Sequence, residues 1–338
     1  MQSDRPETRA GHIAPRPISP PALEVDGLSV DFSSHEGPRR VVDGVSYTIA
    51  RGRTLGVVGE SGCGKSMTAL ALLGLVPKPA HVTGRIVVSG QNLSGIAAGK
   101  WPEIRGKRIA MVFQEPMTAL NPGMCVGDQI GEVLHLHESL GWKEARERAV
   151  EELRLVGIPS PAERAKSYPH QLSGGMRQRV VIAMALACRP DVLIADEPTT
   201  ALDVTIQAQI LELMQRLQDE IGMAVQFISH NLAVVSEIAD EVIVMYAGQV
   251  VERASAEELF SKPLHPYTQG LIATMPMIDN RQEQLAVIPG VVPHLDGNHK
   301  GCRFAGRCHK ADSECRALVP ALITVEPAHE VACHKARP

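Results

Sequence analysis

A glycine-rich segment near the start of the chain has the residue types and spacing of a phosphate-binding loop: Gly59-Glu60-Ser61-Gly62-Cys63-Gly64-Lys65-Ser66. Its glycines let successive backbone N–H groups converge on phosphate oxygens, and the helix that follows adds partial positive charge. Lys65 is expected to reach the β- and γ-phosphates of a nucleoside triphosphate, and the Ser66 hydroxyl to ligate Mg²⁺. The alternative is a glycine-rich turn without a ligand. Cys63 fits a small filling residue better than a catalytic thiol.

Two adjacent carboxylates end a second apolar run, Val192-Leu193-Ile194-Ala195-Asp196-Glu197. A strand ending at Asp196 places this carboxylate at the carboxyl edge of a sheet, beside the bound phosphates. Asp196 is expected to hold Mg²⁺ directly or through water, and Glu197 to orient and deprotonate the attacking water. A pair of solvated surface acids is the alternative. Together the two motifs predict a nucleoside triphosphate hydrolase.

Strands and helices alternate along the chain around these motifs. A buried strand is predicted at 54–58 and a helix at 65–75, which is the context that phosphate binding requires. Further strands are predicted at 192–195 and 225–229, helices from 203 and at 231–239, and a hairpin of 242–246 with 249–252. This alternation indicates an α/β fold with a largely parallel sheet.

Changes in composition predict how the chain is divided. The predicted parts are a disordered tail at 1–21, an ATPase domain at 22–262 with a helical subdomain at about 115–190, and an extension at 263–338. Within the helical subdomain, the charged segment 132–156 is helix-prone and ends at Gly157. Beyond Lys262 the prolines multiply and the periodicity fades, so the extension is expected to be a small separate unit.

Overall composition is that of a soluble globular protein, with 44% hydrophobic and 21% charged residues. The formal net charge of −4 argues against nucleic acid as the main partner. No apolar run approaches the roughly 18–20 residues that cross a bilayer, and the polar N-terminal stretch is not expected to be a signal peptide. If membranes matter to this protein, another subunit is expected to span them.

Four cysteines crowd the C-terminal part of the chain, with the spacing Cys302-x5-Cys308-x6-Cys315-x17-Cys333. In a reducing compartment such a cluster suggests a metal more than disulfides. Four thiolates suffice for a [4Fe–4S] cluster or a tetrahedral zinc site, in which His309 or His334 could substitute. Unliganded thiols are the remaining alternative.

Between the two nucleotide motifs lies Leu172-Ser173-Gly174-Gly175-Met176-Arg177-Gln178, which resembles the signature of ABC ATPases. The resemblance implies a P-loop NTPase ABC ATPase core, with a mostly parallel sheet, an antiparallel β portion and a helical subdomain. It also implies that this segment binds the γ-phosphate held by an opposite subunit, so the chain is expected to be weak or inactive alone. The residues implied at this shared site are Ser173, Gly174, Gly175, Gln178 and Asp203.

The same resemblance implies further contacts within the subunit. Gln114 matches the glutamine that contacts Mg²⁺ and lies near a transmembrane partner. His230 matches the switch histidine that contacts the γ-phosphate, although Asn231 stands where the family most often has aspartate. Contacts to ATP are implied at the loop residues 59–66 and at Met67. Phe32 is the nearest candidate for stacking on adenine, with a role in the core as its alternative.

Longer segments resemble one branch of that superfamily, the ATP-binding subunits of oligopeptide/dipeptide (peptide/nickel) importers. The matching segments are 109–122, 168–179, 195–209, 265–268 and 288–293. The resemblance implies a second, homologous ATPase subunit in a heterodimer, two transmembrane permeases and an extracytoplasmic binding protein. It also favours iron–sulfur over zinc at the four cysteines, and it implies a peripheral location on the cytoplasmic face of the cell (inner) membrane.

Two other classes of ABC protein remain as alternatives. A soluble ATPase acting on ribosomes or DNA usually has two ATPase cores or a long coiled-coil insertion, and this chain has neither. An exporter subunit would leave the C-terminal extension unexplained. Within the importer family, a transporter of nickel or glutathione is the alternative to one of peptides.

Overall fold

The computed structural model describes residues 20–34, 37–200, 202–275, 288–293 and 299–336, so the predicted tail lies outside it except for residues 20 and 21. Its strands are β1 (Leu23–Ser34), β2 (Gly37–Ile49), β3 (Thr54–Val58), β4 (Ala80–Val88), β5 (Gln91–Asn92), β6 (Ile109–Val112), β7 (Val192–Asp196), β8 (Ala224–Ile228), β9 (Glu241–Tyr246), β10 (Gln249–Ser255), β11 (Ile323–Glu326) and β12 (His329–Val331). Its α-helices are α1 (Lys65–Leu72), α2 (Pro116–Ala119), α3 (Val126–Glu138), α4 (Trp142–Leu155), α5 (Pro161–Arg164), α6 (Gly174–Leu186), α7 (Val204–Ile221), α8 (Leu232–Ile238), α9 (Ala256–Ser261), α10 (Pro266–Ala273) and α11 (Ser313–Ala317). Among these described helices, none is long and apolar enough to cross a membrane.

The larger sheet of the described residues has the strand order β11-β12-β10-β9-β3-β8-β7-β6. Strands β6, β7, β8, β3 and β9 are parallel to one another, whereas β10, β12 and β11 are antiparallel to their neighbours. Every residue of β3, β7 and β8 is buried, which is typical of parallel strands covered on both faces. The predicted α/β fold with a mostly parallel sheet is confirmed.

A second sheet is antiparallel and has the order β2-β1-β4-β5. Its strands β1 and β2 contact α1, the helix that follows the phosphate loop. The two sheets are joined by a buried hydrogen bond of 2.7 Å, which the Tyr47 hydroxyl donates to Oε1 of Gln226. Burial raises the pKa of Tyr47, so the hydroxyl keeps the proton it donates. This sheet is the expected antiparallel portion, and it brings β2 beside the phosphate loop.

The segment 132–156, predicted as helix-prone throughout, forms two helices instead of one. α3 ends at Glu138, where Ser139 adopts a left-handed conformation with φ of 58°, and α4 begins after Gly141. The two helices pack against each other, and Gly131 faces the backbone of Ala145, which lies 3.6 Å from the position a Cβ would take. The helix-prone composition of the segment masked this break, although the three-residue turn at 139–141 contains Gly141, which disfavours a continuous helix.

Strands β11 and β12 belong to the predicted extension and yet complete the larger sheet. β12 pairs with β10 through Glu252–Val331 and Arg253–Glu330. Beneath this pairing, the fully buried Glu252 carboxylate contacts Nε2 of the fully buried His329 at 2.8 Å. The same carboxylate accepts hydrogen bonds from the backbone N–H groups of Leu264 and His265. The division at residue 262 stays a prediction, but this part of the extension is packed into the ATPase fold.

Candidate active site

The phosphate loop connects the carboxyl end of β3 to α1, as the sequence predicts. Gly59 and Gly64 have φ values of 150° and 105°, which residues with a side chain rarely adopt. A Cβ on Gly59 would lie 2.3 Å from the carbonyl oxygen of Met245, and one on Gly64 would lie 2.9 Å from that of Val41. Both positions therefore require glycine, because neighbouring backbone approaches the loop too closely for any side chain.

Lys65 is buried inside the loop that it is expected to serve. Its side chain donates to the carbonyl oxygens of Gly59 at 2.7 Å and of Glu60 at 3.1 Å. These bonds hold the ammonium group at the start of α1, where the helix dipole favours an anion. Cys63 is also buried, and burial raises the pKa of its thiol, which agrees with a filling role for this residue.

Asp196 ends β7 beside the phosphate loop and is 5% exposed. Burial raises its pKa, while a hydrogen bond with Ser66 and the charge of Lys65 oppose the rise and Glu197 adds to it. A carboxylate and a hydroxyl in direct contact supply the hard oxygen ligands that Mg²⁺ prefers. These two side chains therefore fit the predicted Mg²⁺ site.

Glu197 lies at the centre of a polar cluster at the carboxyl edge of the sheet. Its Oε2 accepts hydrogen bonds from Nε2 of Gln114 at 3.1 Å and from the Thr200 hydroxyl at 3.0 Å, and its Oε1 lies 3.0 Å from Nδ1 of His230. The backbone of Glu197 has a φ of 49°, an uncommon conformation that clusters at functional sites. The structure thus brings together Gln114, Glu197 and His230, the residues implied to act in hydrolysis.

Asn231 replaces the aspartate that resemblance leads one to expect after His230. It is the N-cap of α8, and its side-chain oxygen accepts from the backbone N–H groups of Ala233 at 3.2 Å and Val234 at 3.4 Å. Asparagine and aspartate are both favoured at this position because each offers the same acceptor oxygen. The substitution therefore keeps the cap that holds His230 at the end of β8.

The signature segment forms the start of α6, where Ser173 is the N-cap. The Ser173 hydroxyl accepts from the backbone N–H of Met176 at 3.4 Å, and Ser173 and Gly174 are exposed. Gly175 packs against α7, since a Cβ there would lie 2.8 Å from Cγ2 of Ile206. Asp203 caps α7 through a 2.9 Å bond from the N–H of Ile206. The two helix starts therefore form one exposed unit on the surface of the chain.

Two residues implied to contact nucleotide lie in positions that do not by themselves support the role. Gln178 is 1% exposed, and neither polar atom of its amide has a hydrogen-bond partner among the described residues. This conformation keeps Gln178 away from an opposite subunit. Phe32 is half-buried and is paired with Arg39 on β2 and Ala80 on β4. Its stacking on adenine stays a prediction, and its packing against the core is observed.

The four cysteines of the extension are free thiols that lie near one another. Burial raises the pKa of Cys302, and the charges of Cys308, Cys315 and Cys333 add to the rise. Backbone N–H groups two residues further on point at the sulfurs of Cys308 and Cys333, each at 3.4 Å. However, no group of three or more His, Cys, Asp or Glu side chains in the described ranges is arranged to hold a metal ion. The arrangement therefore does not support the predicted cluster site.

The sequence analysis missed several residues that shape the site. Thr200 binds Glu197, the Tyr267 hydroxyl accepts from the N–H of Glu60 at 2.8 Å, and Arg307 forms an ion pair with the Glu60 carboxylate. Tyr267 and Arg307 belong to the extension and are 207 and 247 residues away from Glu60. No local pattern could have revealed such contacts.

Two protein-family models match the chain. The model described as ABC transporter matches residues 42–200, and the model described as oligopeptide/dipeptide transporter, C-terminal region, matches residues 251–315. The second match begins in β10 and includes Arg307 and three of the four clustered cysteines.

Curated relatives resemble the chain over most of its length. The probable peptide ABC transporter ATP-binding protein y4tR of Sinorhizobium fredii is 51% identical over 92% of this chain and 94% of its own length. The oligopeptide transport ATP-binding protein AppD of Bacillus subtilis is 50% identical over 92% and 95%. The dipeptide transport ATP-binding protein DppD of Escherichia coli is 49% identical over 92% and 96%.

Solved structures of similar fold are ABC cassettes. The dimeric cassette MJ0796 in a post-hydrolysis state, bound to ADP and Pi, has a TM-score of 0.62 and 26% identity over 69% of this chain and 98% of that one. CbiO1 of Clostridium perfringens, part of the CbiONQ transporter complex, has a TM-score of 0.60 and 28% identity over 72% and 91%.

Proposed function

The chain belongs to the family of ATP-binding subunits of oligopeptide/dipeptide ABC transporters, and from that premise we propose that its active site drives peptide import. The observation that carries the proposal is the position of Glu197, whose carboxylate lies between Gln114 and His230. Asp196 precedes it at the same edge of the sheet, in contact with Ser66. This is the arrangement that a hydrolytic attack on a triphosphate held by the phosphate loop needs.

Each residue of the site has a distinct role in the proposed hydrolysis of ATP. Lys65 exchanges the loop carbonyl oxygens for the β- and γ-phosphates of ATP, while Ser66, Asp196 and Gln114 would hold Mg²⁺, which supplies positive charge beside these phosphates. Glu197 accepts a proton from the attacking water as the water oxygen bonds to the γ-phosphorus. The bond from that phosphorus to the β–γ bridging oxygen breaks, so ADP and inorganic phosphate result. His230 positions the carboxylate of Glu197.

A second ATPase subunit completes the site in this proposal. The exposed start of α6 at Ser173 and Gly174 offers backbone N–H groups to an anion outside the chain, and α7 begins beside it at Asp203. ATP would then be held between the phosphate loop of one subunit and the signature segment of the other. Support comes from the solved relative MJ0796, which is a dimer.

The transmembrane partner is proposed to dock in an apolar groove beside Gln114. The groove, of about 310 Å³, lies between the larger sheet and the helical subdomain, and Leu75, Phe113 and Val133 are among its lining residues. Phe113 is 40% exposed, and it adjoins Gln114, which contacts Glu197. A permease helix in this groove would therefore be coupled to the nucleotide site through the side chain of Gln114, which contacts Glu197.

The complete assembly is proposed to contain this chain, a homologous ATPase subunit, two permeases and an extracytoplasmic binding protein, with this chain peripheral on the cytoplasmic face of the cell membrane. Anaerobic purification from membranes in mild detergent, followed by mass spectrometry, is expected to recover the two permeases and the second ATPase subunit. Ribosomal proteins or DNA without any membrane protein would contradict the transport function. Transport assays with purified vesicles would then separate peptides from nickel or glutathione.

The four cysteines carry a finer proposal, that the extension binds a [4Fe–4S] cluster, with zinc as the alternative. The proposal rests on the type of donor available, since Cys302 lies close enough to the other three cysteines for their charges to raise its pKa. Two of the sulfurs also accept backbone N–H bonds, which stabilise a thiolate. Cys302, Cys308, Cys315 and Cys333 would be the ligands. A bound group would stabilise a segment that has few buried apolar residues of its own.

Replacing Cys308 by serine tests this proposal. If the four thiols bind a cluster, Cys308→Ser is expected to lower the iron and sulfide content of the anaerobically purified protein and to reduce its solubility. A Cys125→Ser variant is the control, since Cys125 lies outside the extension. Unchanged iron and sulfide in Cys308→Ser would reject the site, and stoichiometric zinc in place of iron would favour the alternative.

A further inference from the structure

The segment 302–308, which joins two of the clustered cysteines, lies against the phosphate loop. The Arg307 guanidinium binds both carboxylate oxygens of Glu60, at 2.6 and 3.0 Å, and its side chain is 7% exposed. At the other end of the segment, Arg303 donates to the carbonyl oxygen of Ala247 at 2.6 Å and pairs with Asp43 on β2. Two arginines thus attach the extension to the surroundings of the nucleotide site.

Arg307 uses all of its hydrogen-bonding capacity at this position. A guanidinium has five N–H donors, and here five contacts are made. Two go to Glu60, one to the Tyr246 hydroxyl at 3.4 Å, and one each to the carbonyl oxygens of Ile288 at 3.1 Å and Pro289 at 2.7 Å. The planar group also lies over the rings of Tyr246 and Phe304. A lysine offers three donors and no planar fork, so it cannot reproduce these contacts.

Glu60 is the residue of the phosphate loop through which these contacts reach the nucleotide. Its backbone N–H donates to the Tyr267 hydroxyl at 2.8 Å, and its carbonyl oxygen accepts from Lys65. Arg307 holds its side chain. Glu60 is therefore held at three points, two of them supplied by the extension and the third by the lysine expected to bind the phosphates.

The extension also forms a wall beside the loop. A cavity of about 410 Å³ is lined on one side by Val41, Ser61 and Gly62 and on the other by residues 290–293. Because Arg307 binds the carbonyl oxygens of the two residues that precede this wall, a single side chain positions both the loop and the wall that faces it.

We propose that Arg307 is a positioning residue for nucleotide binding, which holds the phosphate loop through Glu60 and makes the extension part of the ATP site. The inference rests on the proposed ATPase function and adds to it a determinant of nucleotide affinity outside the ATPase motifs. It states that loss of the Arg307–Glu60 pair weakens binding of ATP and of ADP alike, because both nucleotides carry the phosphates that the loop surrounds.

Equilibrium binding of a fluorescent ATP analogue and of ADP to the full chain tests the proposal, with kcat and KM measured in the assembled transporter. Arg307→Ala is expected to raise both Kd values about 5–50-fold, as suits the loss of a buried charge-assisted pair, and to raise KM more than it lowers kcat. Arg307→Lys is expected to restore only part of the affinity. Glu60→Gln keeps the shape of the loop residue and is expected to raise Kd about 3–10-fold.

Matched variants distinguish a positioning role from a merely structural one. Lys310→Ala removes a positive charge from an exposed side chain near the same segment, where it contacts Gln269 rather than the loop, and is expected to leave Kd unchanged. In a double-mutant cycle, Arg307→Ala and Glu60→Gln are expected to be strongly non-additive. If Arg307→Ala fails to fold, the Kd values of Arg307→Lys and Glu60→Gln test the proposal instead.

The outcomes separate this proposal from the ATPase function itself. Parent protein that does not bind ATP would reject the function. Parent protein that binds ATP, together with Arg307 and Glu60 variants that bind it equally well but melt at a lower temperature, would reject the positioning role alone.

Discussion

A transporter whose subunit carries Glu197→Gln is expected to hydrolyse ATP about 10²–10⁴-fold more slowly than the parent, the usual contribution of a positioned general base. Glutamine keeps the acceptor that Gln114 and Thr200 use, so the loop should retain its shape. It cannot take a proton from water, so cleavage fails while ATP binding survives. Mixed with its partner ATPase subunit in the absence of the permeases, the variant is therefore expected to accumulate as a nucleotide-bound dimer, seen as an earlier-eluting species in size-exclusion chromatography with ATP.

Glu220→Gln is a suitable control for this prediction, because Glu220 is an exposed residue of α7 whose ion pair within the described residues is with Arg216, at 4.0 Å. Its turnover should equal that of the parent. Hydrolysis at the parent rate by Glu197→Gln in the assembled complex would show that another group is the base. Slow hydrolysis without the accumulated dimer would show that Glu197 acts on closure of the dimer rather than on cleavage.

Lys65→Ala is expected to raise the Kd for ATP by on the order of 10²–10³, since removing one partner of a buried charge pair costs roughly 2–5 kcal/mol. The loss has two sources. The phosphates lose their ammonium partner, and the carbonyl oxygens of Gly59 and Glu60 lose the donor that holds the empty loop in shape. Isothermal titration of the isolated chain with ATP, with and without Mg²⁺, measures the change directly.

Lys100→Ala provides the comparison for Lys65→Ala, because the side chain of Lys100 is 64% exposed and pairs with Glu103. It removes the same charge from the protein without touching the loop. An equal loss of affinity in both variants would show a general effect of charge. An unchanged Kd for ATP in Lys65→Ala would show that Lys65 does not bind the phosphates.

The phosphate loop and the buried strands around it could be predicted from the sequence because their determinants are local. The loop glycines, Lys65 and Ser66 are neighbours in the chain. The continuous apolar runs of β3 and β7 are typical of buried strands and can be read directly from the sequence. Strand β6 is different, since its four residues are too few for a periodic pattern, and its importance lies in placing Gln114 beside Glu197, 83 residues further along. The family resemblance suggested that Gln114 contacts Mg²⁺, but its contact with Glu197 was not predicted.

The extension marks the limit of prediction from local pattern. Its prolines and weak periodicity indicated a separate unit, whereas β11 and β12 join the larger sheet and Arg307 reaches the phosphate loop. Strand β12 is held in an extended conformation by pairing with β10 rather than by an alternating pattern in its own sequence. Cysteine spacing likewise identified a set of donors, but how those side chains are oriented depends on contacts made far away in the chain.

The pairing of β12 with β10 has a consequence for the order in which the protein is made. Synthesis proceeds from the N-terminus, so the parallel strands and β10 leave the ribosome well before His329 and Val331. Until then β10 is an open sheet edge, the kind of surface to which foreign strands add, and the Glu252 carboxylate lacks the histidine that is buried with it. A nascent or prematurely terminated chain therefore exposes an unpaired strand edge beside a carboxylate that lacks its histidine partner, which makes the chain a target for chaperones and for quality-control proteolysis.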